Sequence, residues 1–215
     1  MADFTLVVGN QNYSSWSLRP YLALKHVGAP FELVVVPLRH GDTSERIKRQ
    51  SPSGRVPALR HGDLVVWDSL AICEYLAERF PSAGLWPADS AARAVARSIS
   101  AEMHSGFTAL RNTLPMNIRA ERRKEIPEDV AADIARIREI WRDTRQRFGE
   151  GGRFLFGAFT IADAMYAPVV TRFRTYGVTL EGEEVAYAQA VWDLPALREW
   201  ADAARKEEWV IQAYE

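Results

Sequence analysis

The sequence predicts two parts, an α/β domain of βαβ–ββα order and an all-helical domain after it. Four short apolar runs, Thr5–Val8, Phe31–Val36, Val56–Leu59 and Leu64–Trp67, all precede Asp68 and have the length of strands. Pro and Gly then cluster in Pro81–Pro87, and the apolar residues beyond that point recur at helical spacing.

Each element has a local reason. Thr5–Val8 reads as a strand and Asn10–Ser15 as a polar loop; Ser17–Val27 reads as a helix that accepts Pro20 because it falls in the first turn. Gly28 suits its C-cap. Phe31–Val36 completes βαβ. Val56–Leu59 and Leu64–Trp67 flank the turn-like His61-Gly62-Asp63 and form a hairpin. Asp68 and Ser69 then open a helix in which Leu70, Ile72, Cys73 and Leu76 fit one buried face. Its first N–H groups and the Ser69 hydroxyl either cap the helix in the ordinary way or point at a bound anion.

The expected division is residues 1–81, a linker at 82–89 and a helical part at 90–215. Ala91–Leu114 reads as one long helix that stops before Pro115. After Pro127, the residues Val130, Ile134, Ile137, Trp141 and Phe148 mark an amphipathic helix of about five turns, which Gly149–Gly152 ends. Thr160–Tyr176 and Pro195–Ala204 read as two more. No internal repeat or low-complexity tract interrupts this order.

Composition sets limits on partners. A chain of 215 residues with 47% hydrophobic content can bury a sizeable core. The charge of −1, from 27 basic and 28 acidic residues, gives no electrostatic case for nucleic acid or an anionic membrane. One cysteine excludes a disulfide framework and a cysteine-rich metal site. No charged and apolar leader precedes Thr5 and no apolar run approaches about 18 residues, so a soluble cytoplasmic protein is expected.

The βαβ, loop, ββα order is the thioredoxin-like plan, and the residues at its junctions resemble the glutathione transferases. Ser14-Ser15-Trp16-Ser17-Leu18-Arg19 is similar to the Ser-Ser-Cys-x-x-Arg loop of the zeta class, with Trp16 standing where that class has cysteine. Ser51-Pro52-Ser53-Gly54-Arg55-Val56-Pro57-Ala58-Leu59 resembles the family's Asn-Pro-x-x-x-Val-Pro-x-Leu, whose Val-Pro bond is cis. Asp68-Ser69-Leu70-Ala71-Ile72 resembles its Glu/Gln-Ser-x-Ala-Ile, and Thr160-Ile161-Ala162-Asp163 its capping box in the helical half. Each motif alone is weak; their shared order over the whole chain implies the glutathione transferase fold.

What the resemblance implies follows from the chemistry of a thiol cosubstrate. Glutathione carries a thiol of pKa about 8.5, mostly protonated at neutral pH, and the thiolate is the nucleophile. Lowering that pKa to about 6.5 needs about 2.7 kcal/mol, which a hydroxyl hydrogen bond and the end of a helix can supply without a catalytic base. Ser14 takes the place of the first serine of the zeta loop and is the first candidate donor, with Ser15 next and Tyr13 a rival; the serines can also simply cap the helix. The family pattern places the cysteinyl backbone of glutathione on Val56 with Pro57, its γ-glutamyl amine and carboxylate on Asp68 and Ser69, and its glycyl carboxylate near Arg55 and His40. Arg19 reads as a buried ion-pair partner and Cys73 as core. No metal is implied.

The electrophile site falls to the helical part. His104, Phe107, Thr108 and Arg111 are spaced to share one helical face or its border, with Gly106 allowing close approach. His104 is equally readable as an interface histidine, and Arg111 as an anchor for an acidic substrate. The expected function is a glutathione transferase acting on a small electrophile; the alternatives are a glutathione-dependent isomerase of the maleylacetoacetate type and a non-catalytic binding protein of the same fold. The family also implies a homodimer, and a long helix apolar on more than one side would need a second cover.

Overall fold

Alternation along the first strand sets the architecture. The computed structural model describes residues 3–215. In β1 (Phe4–Val8), Phe4, Leu6 and Val8 face one side of the sheet and Val7 the other. The first set packs with residues of α1 (Ser15–Val27) and α3 (Ser69–Arg79), whereas Val7 packs with Val36, Ala58 and Ile47 of α2 (Thr43–Lys48). β1 runs parallel to β2 (Phe31–Val35) and antiparallel to β3 (Ala58–His61), which pairs with β4 (Leu64–Trp67). The order β2-β1-β3-β4 leaves β4 at an edge.

Three details of this half differ from the sequence expectation. The first hairpin strand is Ala58–His61 rather than Val56–Leu59: Val56 and Pro57 stand ahead of it at the cis bond, and His61 pairs with Leu64 instead of lying in the turn. The loop expected after β2 contains α2, which buries only Ile47 and therefore carries no apolar period to read. α1 starts at Ser15 rather than Ser17, so Pro20 lies inside the helix and leaves the Trp16 carbonyl without its α-helical donor. Gly28 takes the left-handed C-cap conformation, as expected.

Six helices follow: α4 (Ser90–Ser105), α5 (Thr108–Thr113), α6 (Glu128–Phe148), α7 (Ile161–Tyr176), α8 (Glu183–Trp192) and α9 (Pro195–Lys206). α7 is buried along nearly its whole length and starts at a reciprocal capping box between Thr160 and Asp163. It packs against both α1 and α4, so one continuous core joins the two halves. α8 lacks an amphipathic stripe strong enough to be read from sequence. It is fixed instead by Glu184, which accepts from Arg138 at 2.7 Å and Arg142 at 2.6 Å, both on α6.

The expected single helix Ala91–Leu114 is broken at Gly106 and Phe107. Gly106 is extended and Phe107 has φ of +56°, which turns the chain and drops the Phe107 ring into the core. Tertiary contact favours the break: Asp133 of α6 accepts the Leu110 N–H at 2.9 Å, holding the start of α5 against α6. α4 consequently buries one face, Ala92, Ala96, Ile99, Ser100 and Met103, and is not apolar on a second side. No helix among the described residues is long and apolar enough to cross a membrane.

Candidate functional site

A cavity of about 610 Å³ opens where the hairpin and α3 face α4, within the size range of small-molecule sites. Trp16, Arg55, Val56, Asp68, Ser69 and His104 line it, with Ser53, Pro57 and Trp67 completing the wall. One side is the start of α3. Asp68 holds φ of +75° and caps the helix, one carboxylate oxygen accepting from the Leu70 N–H at 2.9 Å and the Ala71 N–H at 3.2 Å. Its second oxygen lies 3.2 Å from His104 Nε2. Beside it, the Ser69 hydroxyl is buried without a hydrogen-bond partner, at a helix end whose N–H groups favour negative charge.

The opposite side is the turn before β3, where the Val56–Pro57 bond is cis and Arg55 is exposed. His104 reaches in from α4. Its ring stands edge-on to Trp16, centroids 5.2 Å apart, and its Nδ1 is buried without a partner.

The serine turn sits behind Trp16. Ser14 donates to Ser17 Oγ at 2.8 Å, and Ser17 Oγ also accepts the Gly9 N–H at 3.1 Å, tying the end of β1 to the first turn of α1. Ser15 Oγ accepts instead, from Arg172 Nη2 at 3.2 Å. Both serines are buried and neither lines the cavity; their neighbour Trp16 does. The Arg19 guanidinium lies 4.3 Å from the Trp16 ring centroid and that of Arg111 5.1 Å from it.

Several site expectations change with this placement. Arg19 is buried but unpaired by any carboxylate: Nε donates to the Met165 carbonyl at 3.2 Å and both terminal nitrogens lack partners. Burial, with the like charges of Arg172 and Arg111, lowers it to about 9. The Tyr13 hydroxyl is committed to Glu215 and to Arg119, and burial raises it. His40 is exposed on the loop before α2, its N–H donating to Thr43 Oγ1 at 2.8 Å, away from the cavity. Because the long helix is broken, His104, Phe107, Thr108 and Arg111 share no face. Phe107 is in the core, Thr108 is exposed, and Arg111 donates to the His104 carbonyl at 3.2 Å behind Trp16, leaving His104 as the member that lines the cavity. Gly106 serves the C-terminal end of α4, where a Cβ would stand 2.8 Å from the Glu102 carbonyl oxygen.

Trp67 and Arg172 were not among the expected site residues. In the sequence Trp67 reads as an ordinary strand end. Arg172 carried one readable signal, a cation within the apolar run of α7. The described residues contain no group of three or more His, Cys, Asp or Glu side chains able to hold a metal ion.

Comparison with known proteins bears on both halves of the fold. Residues 13–79 match the family "Glutathione S-transferase, N-terminal domain" and residues 120–203 match "Glutathione S-transferase, C-terminal domain". Maleylacetoacetate isomerase of Rattus norvegicus is 30% identical over 172 residues, covering 77% of this chain and 76% of that protein. The chain spans about half the length of other curated relatives it matches, at 45% or 46% of each. A glutathione transferase homologue from Burkholderia GL BGR1 with bound glutathione superposes with a TM-score of 0.70 at 26% identity, over 95% of this chain and 99% of that one. The holo structure of maleyl pyruvate isomerase, a bacterial glutathione S-transferase in the zeta class, superposes with a TM-score of 0.73 at 26% identity, over 94% and 99% of the two chains. With both halves matched and a relative aligned across most of its length, the chain belongs to the glutathione S-transferase family and is zeta-like.

Proposed function

We propose that this protein is an enzyme that binds glutathione in the cavity and activates its thiol, through a hydroxyl of the Ser14–Ser15 pair, for attack on a small electrophile. The observation that carries this reading is the start of α3: a buried, unpartnered Ser69 hydroxyl beside an Asp68 carboxylate that has one oxygen turned to the cavity. Ser69 and the helix end suit the γ-glutamyl carboxylate, and the second Asp68 oxygen, the one beside His104, suits its amine. Val56 offers backbone groups to the cysteinyl unit as an added strand would, and Arg55 stands where a glycyl carboxylate can reach it. This extended binding puts the sulfur toward α1, whose N-terminal end and serine hydroxyl favour the thiolate.

His104 shares the second oxygen of Asp68, so it meets whatever enters beside the glutamyl amine. The electrophile has to meet the sulfur, so its place is beside Trp16, the lining residue that adjoins the serine pair. A second reading, glutathione-dependent cis-trans isomerisation of a small unsaturated acid, is favoured by the names of the rat and bacterial relatives. In it the thiolate adds to one carbon of the double bond, the resulting single bond rotates, and the thiolate is expelled. The same reading includes a cytoplasmic location and a homodimer.

Two measurements test it. Retention on immobilised glutathione together with turnover of a chloro-nitrobenzene is expected; retention without turnover of that compound or of small unsaturated acids would leave a binding protein, and no retention would remove the site altogether.

A further inference from the structure

Arg172 is a buried cation with only neutral partners. It projects from α7 toward α1, where Nε donates to the Leu114 carbonyl at 2.9 Å, Nη1 to the Pro168 carbonyl at 3.3 Å and Nη2 to Ser15 Oγ at 3.2 Å. The charged and titratable groups that face it are Arg111 from α5, Arg19 from α1, Tyr176 from its own helix and Tyr214 from the C-terminal turn. Two of these are like charges and two are neutral phenols. Among the described residues no carboxylate forms an ion pair with Arg172, Arg19 or Arg111, although burying an uncompensated cation is costly. A guanidinium keeps its proton, so the positive charge remains behind the serine turn and calls for an anion on the other side.

The hydrogen bonds also separate the two serines. Ser14 spends its proton on Ser17 Oγ. Ser15 accepts from a cation through its oxygen, which leaves its own proton for an outside acceptor and makes that O–H a stronger donor.

We infer that Ser15 is the hydroxyl that holds the glutathione thiolate, and that Arg172 is a positioning residue that lends it charge from behind. This rests on the glutathione reading above. The step is an ionisation: the S–H bond breaks, its proton passes to solvent, and the sulfur keeps the electron pair as acceptor of the Ser15 O–H. Arg172 neither gains nor loses a proton. Its place is taken by the charge it holds 3.2 Å behind the donor oxygen.

The test is the pH profile of kcat/KM for the electrophile at saturating glutathione in the full chain, which reports the ionisation of the enzyme-bound thiol, with thiolate absorbance of the glutathione complex as a second readout. In Arg172→Met the thiol titrates at higher pH, so turnover at about pH 6.5 falls about tenfold and recovers toward about pH 9, because one pKa unit is tenfold in thiolate. KM for glutathione stays within about threefold, since Arg172 touches no part of the tripeptide. Arg172→Lys keeps a cation and recovers part of the shift. Ser15→Ala shifts the profile the same way, and Arg172→Met added to Ser15→Ala shifts it by less than it does alone. A superimposable profile for Arg172→Met, or fully additive shifts in the double variant, overturns the inference. Should Arg172→Met fail to fold, an unmoved profile in Ser15→Ala overturns it equally. A wild-type protein that neither binds nor turns over glutathione would instead remove the reading beneath it.

Discussion

Glu207, at the end of α9, accepts the Asn12 backbone N–H at 2.9 Å through one carboxylate oxygen, while its other oxygen accepts the Gln11 N–H at 2.6 Å. A side chain nearly two hundred residues away in sequence thus satisfies two consecutive amides of the turn that carries Ser14 and Ser15. Trp200 Nε1 donates to the Gln11 carbonyl at 2.7 Å and the Asn12 side chain is held by Asn117 and Arg119, so the helical half fixes Gln11 and Asn12 of this turn. Glu207→Ala leaves two N–H groups to water at a partly exposed site and should cost about 1–3 kcal/mol. Glu207→Gln keeps one acceptor and turns an NH2 toward the other amide, so it should recover no more than half. Urea midpoints that fall in the order wild type, Gln, Ala with a common slope are expected; equal midpoints for Ala and wild type would show that the turn holds its shape unaided.

Asp68 combines two tasks that an amide can separate. Asp68→Asn retains a carbonyl oxygen for the Leu70 and Ala71 N–H groups, so the cap of α3 survives, but it removes the charge offered to a glutamyl amine. KM for glutathione should rise by about tenfold with stability nearly unchanged, the cost of about 1.4 kcal/mol in ground-state binding. Ser69→Ala should raise KM in the same direction and leave kcat with saturating glutathione close to wild type. Normal glutathione affinity in both variants would place the tripeptide elsewhere.

The buried thiol of Cys73 gives a simple check on packing. It lies in the core under α1, and burial pushes its pKa well up from the ordinary thiol range. The native protein should therefore resist alkylation by iodoacetamide at about pH 8, and label only as it unfolds in denaturant. Rapid labelling of the native state would contradict the packing of α3 against the sheet.

These tests also mark where sequence stops being informative. Strands β1 and β4, the Gly28 cap and the Asp68 start of α3 are local features: a short apolar run, a residue that tolerates positive φ, and a polar side chain ahead of an apolar face. α2 was invisible because one apolar residue, Ile47, defines no period. The break at Gly106 was invisible for a different reason. Glycine inside a helix costs only about 1 kcal/mol, too little to force a break, and the decision came from Asp133 capturing the start of α5. Contacts such as Arg172 to Ser15 and Glu207 to Asn12 join residues more than 150 positions apart, beyond any local pattern.

The surface that calls for a partner is on β4, not on α4. α4 hides one apolar face within its own chain, so it supplies no second apolar side to cover. β4, however, is an edge strand with Leu64 and Trp67 each 48% exposed, and Trp67 also borders the cavity mouth. An unpaired edge carrying two large apolar side chains invites cover, and a two-fold pair is the commonest way to provide it. Sedimentation at micromolar concentration should give a mass near twice the 24.3 kDa chain, and Trp67→Glu should shift it toward the monomer. The same substitution alters the cavity mouth, so Leu64→Glu, which lies outside the lining, should dissociate the pair as well. A wild-type monomer that turns over glutathione would show that β4 needs no partner.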